Sequence, residues 1–98
     1  MVVIIPAKYQ VIPELLRQLP ECGATESIDT DASVNILRGF LDIERIKYLD
    51  MTDEIRKSVP ETDRQKLYFV SDSHLTPSGA DFVAGKVFSF IKENYPLN

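Results

Sequence analysis

Leu67-Tyr68-Phe69-Val70-Ser71-Asp72-Ser73-His74-Leu75-Thr76-Pro77-Ser78-Gly79-Ala80 is the stretch on which the reading of this sequence turns. Its first four residues are apolar and aromatic and predict a short strand. Thr76 is a good helix N-cap, and Pro77 at the first helical position gives up no needed N–H. From there Ala80, Val83, Ala84, Val87, Phe88 and Ile91 make one apolar stripe, which predicts a helix fading near Asn94, before Pro96. Phe82 and Phe90 fall off that stripe, so they are expected to meet another part of a parent fold or a second copy. Between strand and helix lies the only histidine of the 98 residues.

Outward from this block, strands and helices alternate. Val2 to Ile5 is a continuous β-branched run stopped by Pro6, the pattern of a parallel strand covered on both faces. Pro13 introduces a short helix ended by Pro20, and Glu21 to Thr30 is polar and turn-like around Gly23. Asp31 can cap a helix running to about Asp42, with Val34, Leu37 and Leu41 at helical spacing and Phe40 beside them. Arg45 to Leu49 predicts a second strand, Asp53 to Val59 a short amphipathic helix closed by Pro60, and Glu61 to Lys66 a charged loop. Such alternation implies the α/β class: a partial three-layer sandwich with a short parallel sheet of about three strands covered by helices. The chain shows no internal repeat and no domain boundary, so residues 1–98 read as one unit. Because the sequence opens on a buried strand, it is expected to be the C-terminal piece of a longer domain.

Composition narrows the function classes. A net charge of -4, with 11 basic residues scattered along the chain, argues against nucleic-acid binding, which needs clustered Lys and Arg. No apolar stretch approaches the roughly 20 residues of a membrane span. The single Cys22 has no internal disulfide partner and is expected to be a small filler near a turn.

Any imidazole chemistry at neutral pH must use His74. The residue follows a predicted strand, and open α/β sheets bind ligands at the carboxyl ends of their strands. Asp72, two residues earlier, projects to the same side of an extended segment and can reach Nδ1 of the ring. That contact would fix the tautomer and stabilise the imidazolium, leaving Nε2 to take a proton from a hydroxyl. Asp72 and His74 are thus the orienter and base of a triad, and no cofactor is called for.

The same block closely resembles the final conserved block of SGNH (GDSL-type) hydrolases, in which an Asp and a His precede a Thr/Asn-Pro-x-Gly turn into the last helix. The strand ending in Ile5-Pro6-Ala7-Lys8 and the segment Ile46 to Thr52 look like later strands of that family. The Asp-x-His spacing and the Pro-x-Lys segment resemble the branch of polysaccharide O-acetyltransferases. The resemblance implies a serine esterase, O-acyl hydrolase or O-acyltransferase acting on an acyl ester, with a parent protein of the cell envelope or secreted. No Gly-Asp-Ser nucleophile block or oxyanion-hole block is present in these residues; in the family they lie upstream. The chain is therefore expected to supply only the Asp-His part and to be inactive alone.

Other candidates have plainer explanations. Ser73 should point away from its neighbours and Ser78 serves the first helical turn, so neither they nor Ser71 is expected to be the nucleophile. One histidine makes a zinc site unexpected. Asp29 with Asp31, and Asp50 with Asp53, read as caps and loop residues rather than paired acids. Lys8 reads as a solvated loop lysine, and Tyr9, Tyr48, Tyr68 and Tyr95 as packing residues. Two further possibilities stand beside the esterase reading: a noncatalytic or degenerate hydrolase-like module, and a flavodoxin-like binder, for which no glycine-rich phosphate loop is present. Unpaired strand edges invite pairing between chains, so a homo-oligomer is expected.

Overall fold

The computed structural model describes residues 1–18 and 29–96. The predicted end of the first helix at Pro20, the turn around Gly23 and the expectation for Cys22 lie outside these residues. Two strands, β1 (Val2–Ile4) and β2 (Tyr48–Asp50), pair in parallel with Val2 opposite Tyr48, Val3 opposite Leu49 and Ile4 opposite Asp50. Between them run α1 (Lys8–Val11), a 3₁₀ turn (Pro13–Gln18) and α2 (Ala32–Ile43). After β2 come α3 (Met51–Ser58), α4 (Glu61–Arg64), a 3₁₀ turn (Gln65–Leu67) and the long α5 (Pro77–Asn94).

Because successive strand side chains point to opposite faces, each three-residue strand serves two cores. Ile4 joins Val34 and Leu41 of α2, with Val2 and Tyr48 packed against them. Val3 and Leu49 face the other way, onto Val11, Ile12, Met51, Ile55, Leu67 and Tyr68, covered by Phe82, Val83, Val87 and Phe90 of α5. Helices thus lie on both faces of a short parallel sheet, the α/β arrangement that the alternating pattern predicts.

The sheet has two strands among the described residues. The third predicted strand, Leu67 to Val70, instead bends into a tight hairpin: Tyr68 forms an antiparallel bridge with Leu75, the Phe69 amide donates to the His74 carbonyl at 2.9 Å, and the Thr76 amide donates to the Leu67 carbonyl at 2.9 Å. A short continuous apolar run fits a sheet strand or a hairpin arm equally, and here Leu67 and Tyr68 are buried while Phe69 and Val70 are exposed.

The second strand begins three residues later than predicted because α2 ends through Arg45 and Ile46. The Ile46 amide donates to the Leu41 carbonyl at 2.9 Å and the Arg45 amide to Asp42 at 3.2 Å, with Arg45 at φ 56°. This is a Schellman ending with arginine where glycine is usual. At the start of α2, Asp31 occupies the cap position, but its carboxylate makes no cap bond and is drawn to Arg56 at 2.8 and 2.9 Å. By contrast Asp50 does cap: it accepts from the Thr52 amide at 2.9 Å, so α3 starts at Met51 rather than Asp53. The predicted charged loop at 61–66 is α4 and a 3₁₀ turn, launched by Pro60, whose carbonyl accepts from Asp63 at 2.8 Å.

Helix α5 begins and ends where expected, with the Thr76 hydroxyl accepting from the Gly79 amide at 3.1 Å. Its buried face differs from the predicted stripe. Phe82 and Phe90 pack on the core, whereas Phe88 and Ile91 are exposed. The stripe is wider than one 3.6-residue ridge, and tertiary packing selects which part is covered.

Candidate active site

The sequence places a hairpin at the end of β1, and three contacts hold it there. Tyr68, only 2% exposed, sends its hydroxyl to the Pro6 carbonyl at 2.9 Å. Burial pushes this phenol up to about 12. The Lys8 ammonium donates to the carbonyls of Phe69 at 2.8 Å and Val70 at 3.2 Å. On the far arm the Thr76 hydroxyl donates to the Lys66 carbonyl at 2.6 Å, while Gly79 rests on Leu67 so closely that a Cβ would collide with the Leu67 carbonyl oxygen. Between these anchors, Ser71 to Ser73 form an exposed tip.

Asp72 and His74 meet at that tip. Nδ1 of His74 lies 3.2 Å from Oδ1 of Asp72, and the same oxygen accepts the His74 backbone amide at 2.8 Å. The contact therefore arises from an Asx turn, not from the extended backbone anticipated for residues 72–74. The turn places carboxylate and ring on one side because the shared oxygen fixes both. The His74 amide, above all, holds the Asp72 carboxyl below the usual carboxylate range, with the imidazole and Lys8 adding smaller contributions. The His74 side chain is 85% exposed and that of Asp72 51% exposed.

Ser71, Ser73 and Ser78 are exposed, and among the described residues none shares a hydrogen bond with His74. Two hollows lie along α5, one around Phe88, Ile91 and Tyr95 and one around Leu49, Lys86 and Phe90. Among the described residues no group of three or more His, Cys, Asp or Glu is placed to hold a metal ion, and no helix is long and apolar enough to cross a membrane. Asp50 caps α3 and touches Arg38 at 3.3 Å, Asp53 touches Arg38 at 3.4 Å, and the Asp29 carboxylate accepts from the Asp31 amide at 3.0 Å; each acid has a structural partner.

Lys8 is the residue that the sequence reading undervalued. Its signal was positional, since a lysine at the carboxyl end of a strand points where loops converge. The partners 61 and 62 residues away became visible only in the fold.

The described residues form a short parallel α/β unit carrying an Asp-x-His hairpin at the carboxyl end of a strand. The family model described as SGNH hydrolase-like domain, acetyltransferase AlgX, matches residues 1–98. The chain belongs to this family. No curated protein and no solved structure matches it.

Proposed function

We propose that this chain supplies the base and its orienting carboxylate to a serine-type acyl transfer, as a segment of an O-acetyltransferase or esterase. His74 takes the proton of an attacking hydroxyl at Nε2, and Asp72 holds the ring through Nδ1 and stabilises the imidazolium. The nucleophilic serine and the oxyanion donors come from another segment of the parent polypeptide. The observation that carries this reading is the 3.2 Å approach of Nδ1 to Asp72 on an exposed hairpin tip, which leaves the rest of the ring accessible. An ionised Asp72 suits the role, because a carboxylate is a charge-assisted acceptor for the imidazole N–H and its negative charge stabilises the imidazolium.

The test uses the parent polypeptide with an activated acetyl ester and a serine-directed fluorophosphonate. His74→Ala is expected to lower kcat by on the order of 10³-fold and to slow fluorophosphonate labelling, with Asp72→Ala lowering kcat less. Acyl transfer that persists unchanged in His74→Ala would remove the proposal.

A second reading, a noncatalytic hydrolase-like module, draws on the same 85% exposure of His74. Absence of both acyl transfer and labelling in the parent polypeptide would favour it. The proposal extends to assembly: the outer edges of β1 and β2 have no strand partner among the described residues, and they are the surfaces at which the chain self-associates.

A further inference from the structure

The Asp72–His74 tip hangs from the fold by few bonds, and one of them comes from an unexpected direction. Backbone bonds close the hairpin between Phe69 and His74 and between Leu67 and Thr76, but these join the two arms to each other. The bridge from the tip side of the hairpin to the strand end is Lys8, whose ammonium spans the carbonyls of Phe69 and Val70 at 2.8 and 3.2 Å. Those two carbonyls immediately precede the turn that carries Asp72. A charged donor gives shorter and stronger hydrogen bonds than a neutral one, and two carbonyl acceptors fix a direction that one would not. Lys8 itself is placed by α1, which opens at this residue, with the Ala7 amide bonded to Gln10 Oε1 at 2.7 Å.

We infer that Lys8 is a positioning residue that latches the Asp72–His74 hairpin to the end of β1 and so keeps the imidazole in the Nδ1–H tautomer. The inference rests on the proposed orienting role of Asp72. Without the latch, Phe69 and Val70 lose a shared fixed donor, the turn samples other arrangements, and Asp72 no longer stays opposite Nδ1. The carbonyls are exposed, so water replaces the lost bonds and the fold survives.

A single histidine makes the test direct, because every imidazole signal in the ¹⁵N spectrum of this chain belongs to His74. The tautomer is read at a pH where the ring is neutral, in the unsubstituted chain and in Lys8→Met, Lys8→Arg and Asp72→Ala. The expected result is a predominant Nδ1–H form that is lost in Lys8→Met and Asp72→Ala and kept in Lys8→Arg, whose guanidinium can still serve two carbonyls. Loss in Asp72→Ala with retention in Lys8→Met overturns the latch and leaves the orienting role standing. No Nδ1–H form in the unsubstituted chain overturns the orienting role itself. Should Lys8→Met fail to fold, the scalar coupling across the Lys8 Nζ–H to Phe69 carbonyl bond decides in the unsubstituted chain: its detection supports the latch and its absence overturns it.

Discussion

The hydroxyl of Tyr68 donates to the carbonyl of Pro6 at 2.9 Å, joining residues 62 apart in the chain and fixing the root of the hairpin to the exit of β1. Tyr68→Phe keeps the ring and leaves the Pro6 carbonyl without this donor, so it is expected to lower unfolding free energy by about 1–2 kcal/mol at neutral pH. The pH dependence separates this from a packing effect. Burial raises the folded-state phenol from 10.0 to about 12, so its contribution is fully present below pH 10 and is lost as pH rises through 12. Denaturant unfolding of both chains between pH 8 and 12 should show their difference narrowing at the alkaline end; a constant difference would refute the assignment.

Gly79 permits the first turn of α5 to lie against the Leu67 carbonyl, and here a side chain has no room. Gly79→Ala therefore forces the helix away from the hairpin, although alanine ordinarily favours helix. A loss of about 2–4 kcal/mol is expected from the overlap, of the size seen for overpacked interiors. Thermal unfolding measures it, and a variant as stable as the unsubstituted chain would show that the contact relaxes freely.

At the end of α2, Arg45 occupies a left-handed conformation at φ 56° with no compensating side-chain geometry required by the Schellman bonds. Glycine adopts that backbone without the Cβ penalty, so Arg45→Gly is expected to stabilise by roughly 1 kcal/mol. Urea unfolding should show the higher midpoint with an unchanged slope.

Much of this architecture was readable beforehand, and the failures share a cause. The Thr76-Pro77 start of α5, the extended run at Val2 and the Asp72–His74 contact each involve residues close in sequence, although the contact forms through an Asx turn rather than extended backbone. By contrast, the diversion of Asp31 to Arg56, the arrival of Lys8 at Phe69 and the burial of Phe82 and Phe90 in place of Phe88 and Ile91 depend on partners brought together by the fold. Hydrophobic pattern shows that a helix has an apolar side but not which half of a wide stripe will be covered.

That uncovered half has a consequence for the chain in solution. Ile36, Phe40 and Ile43 on α2, like Phe88 and Ile91 on α5, expose large apolar side chains, and neither strand has a second strand partner among the described residues. Light scattering across a concentration series should show an average mass rising above 11.1 kDa, and Phe40→Glu with Ile43→Lys should reduce the rise. A concentration-independent monomer would exclude self-association.

Two strands of three residues offer few backbone bonds with which to choose their alignment, yet neighbouring positions are committed to different interiors. Sliding β1 by a single step would turn Ile4 away from Leu41 and Val3 away from Leu49 at once, removing a side chain from both interiors together. The pairing is thus proofread from two sides by side chains that never touch each other, and the strand exit that presents Pro6 and Lys8 to the hairpin inherits that accuracy.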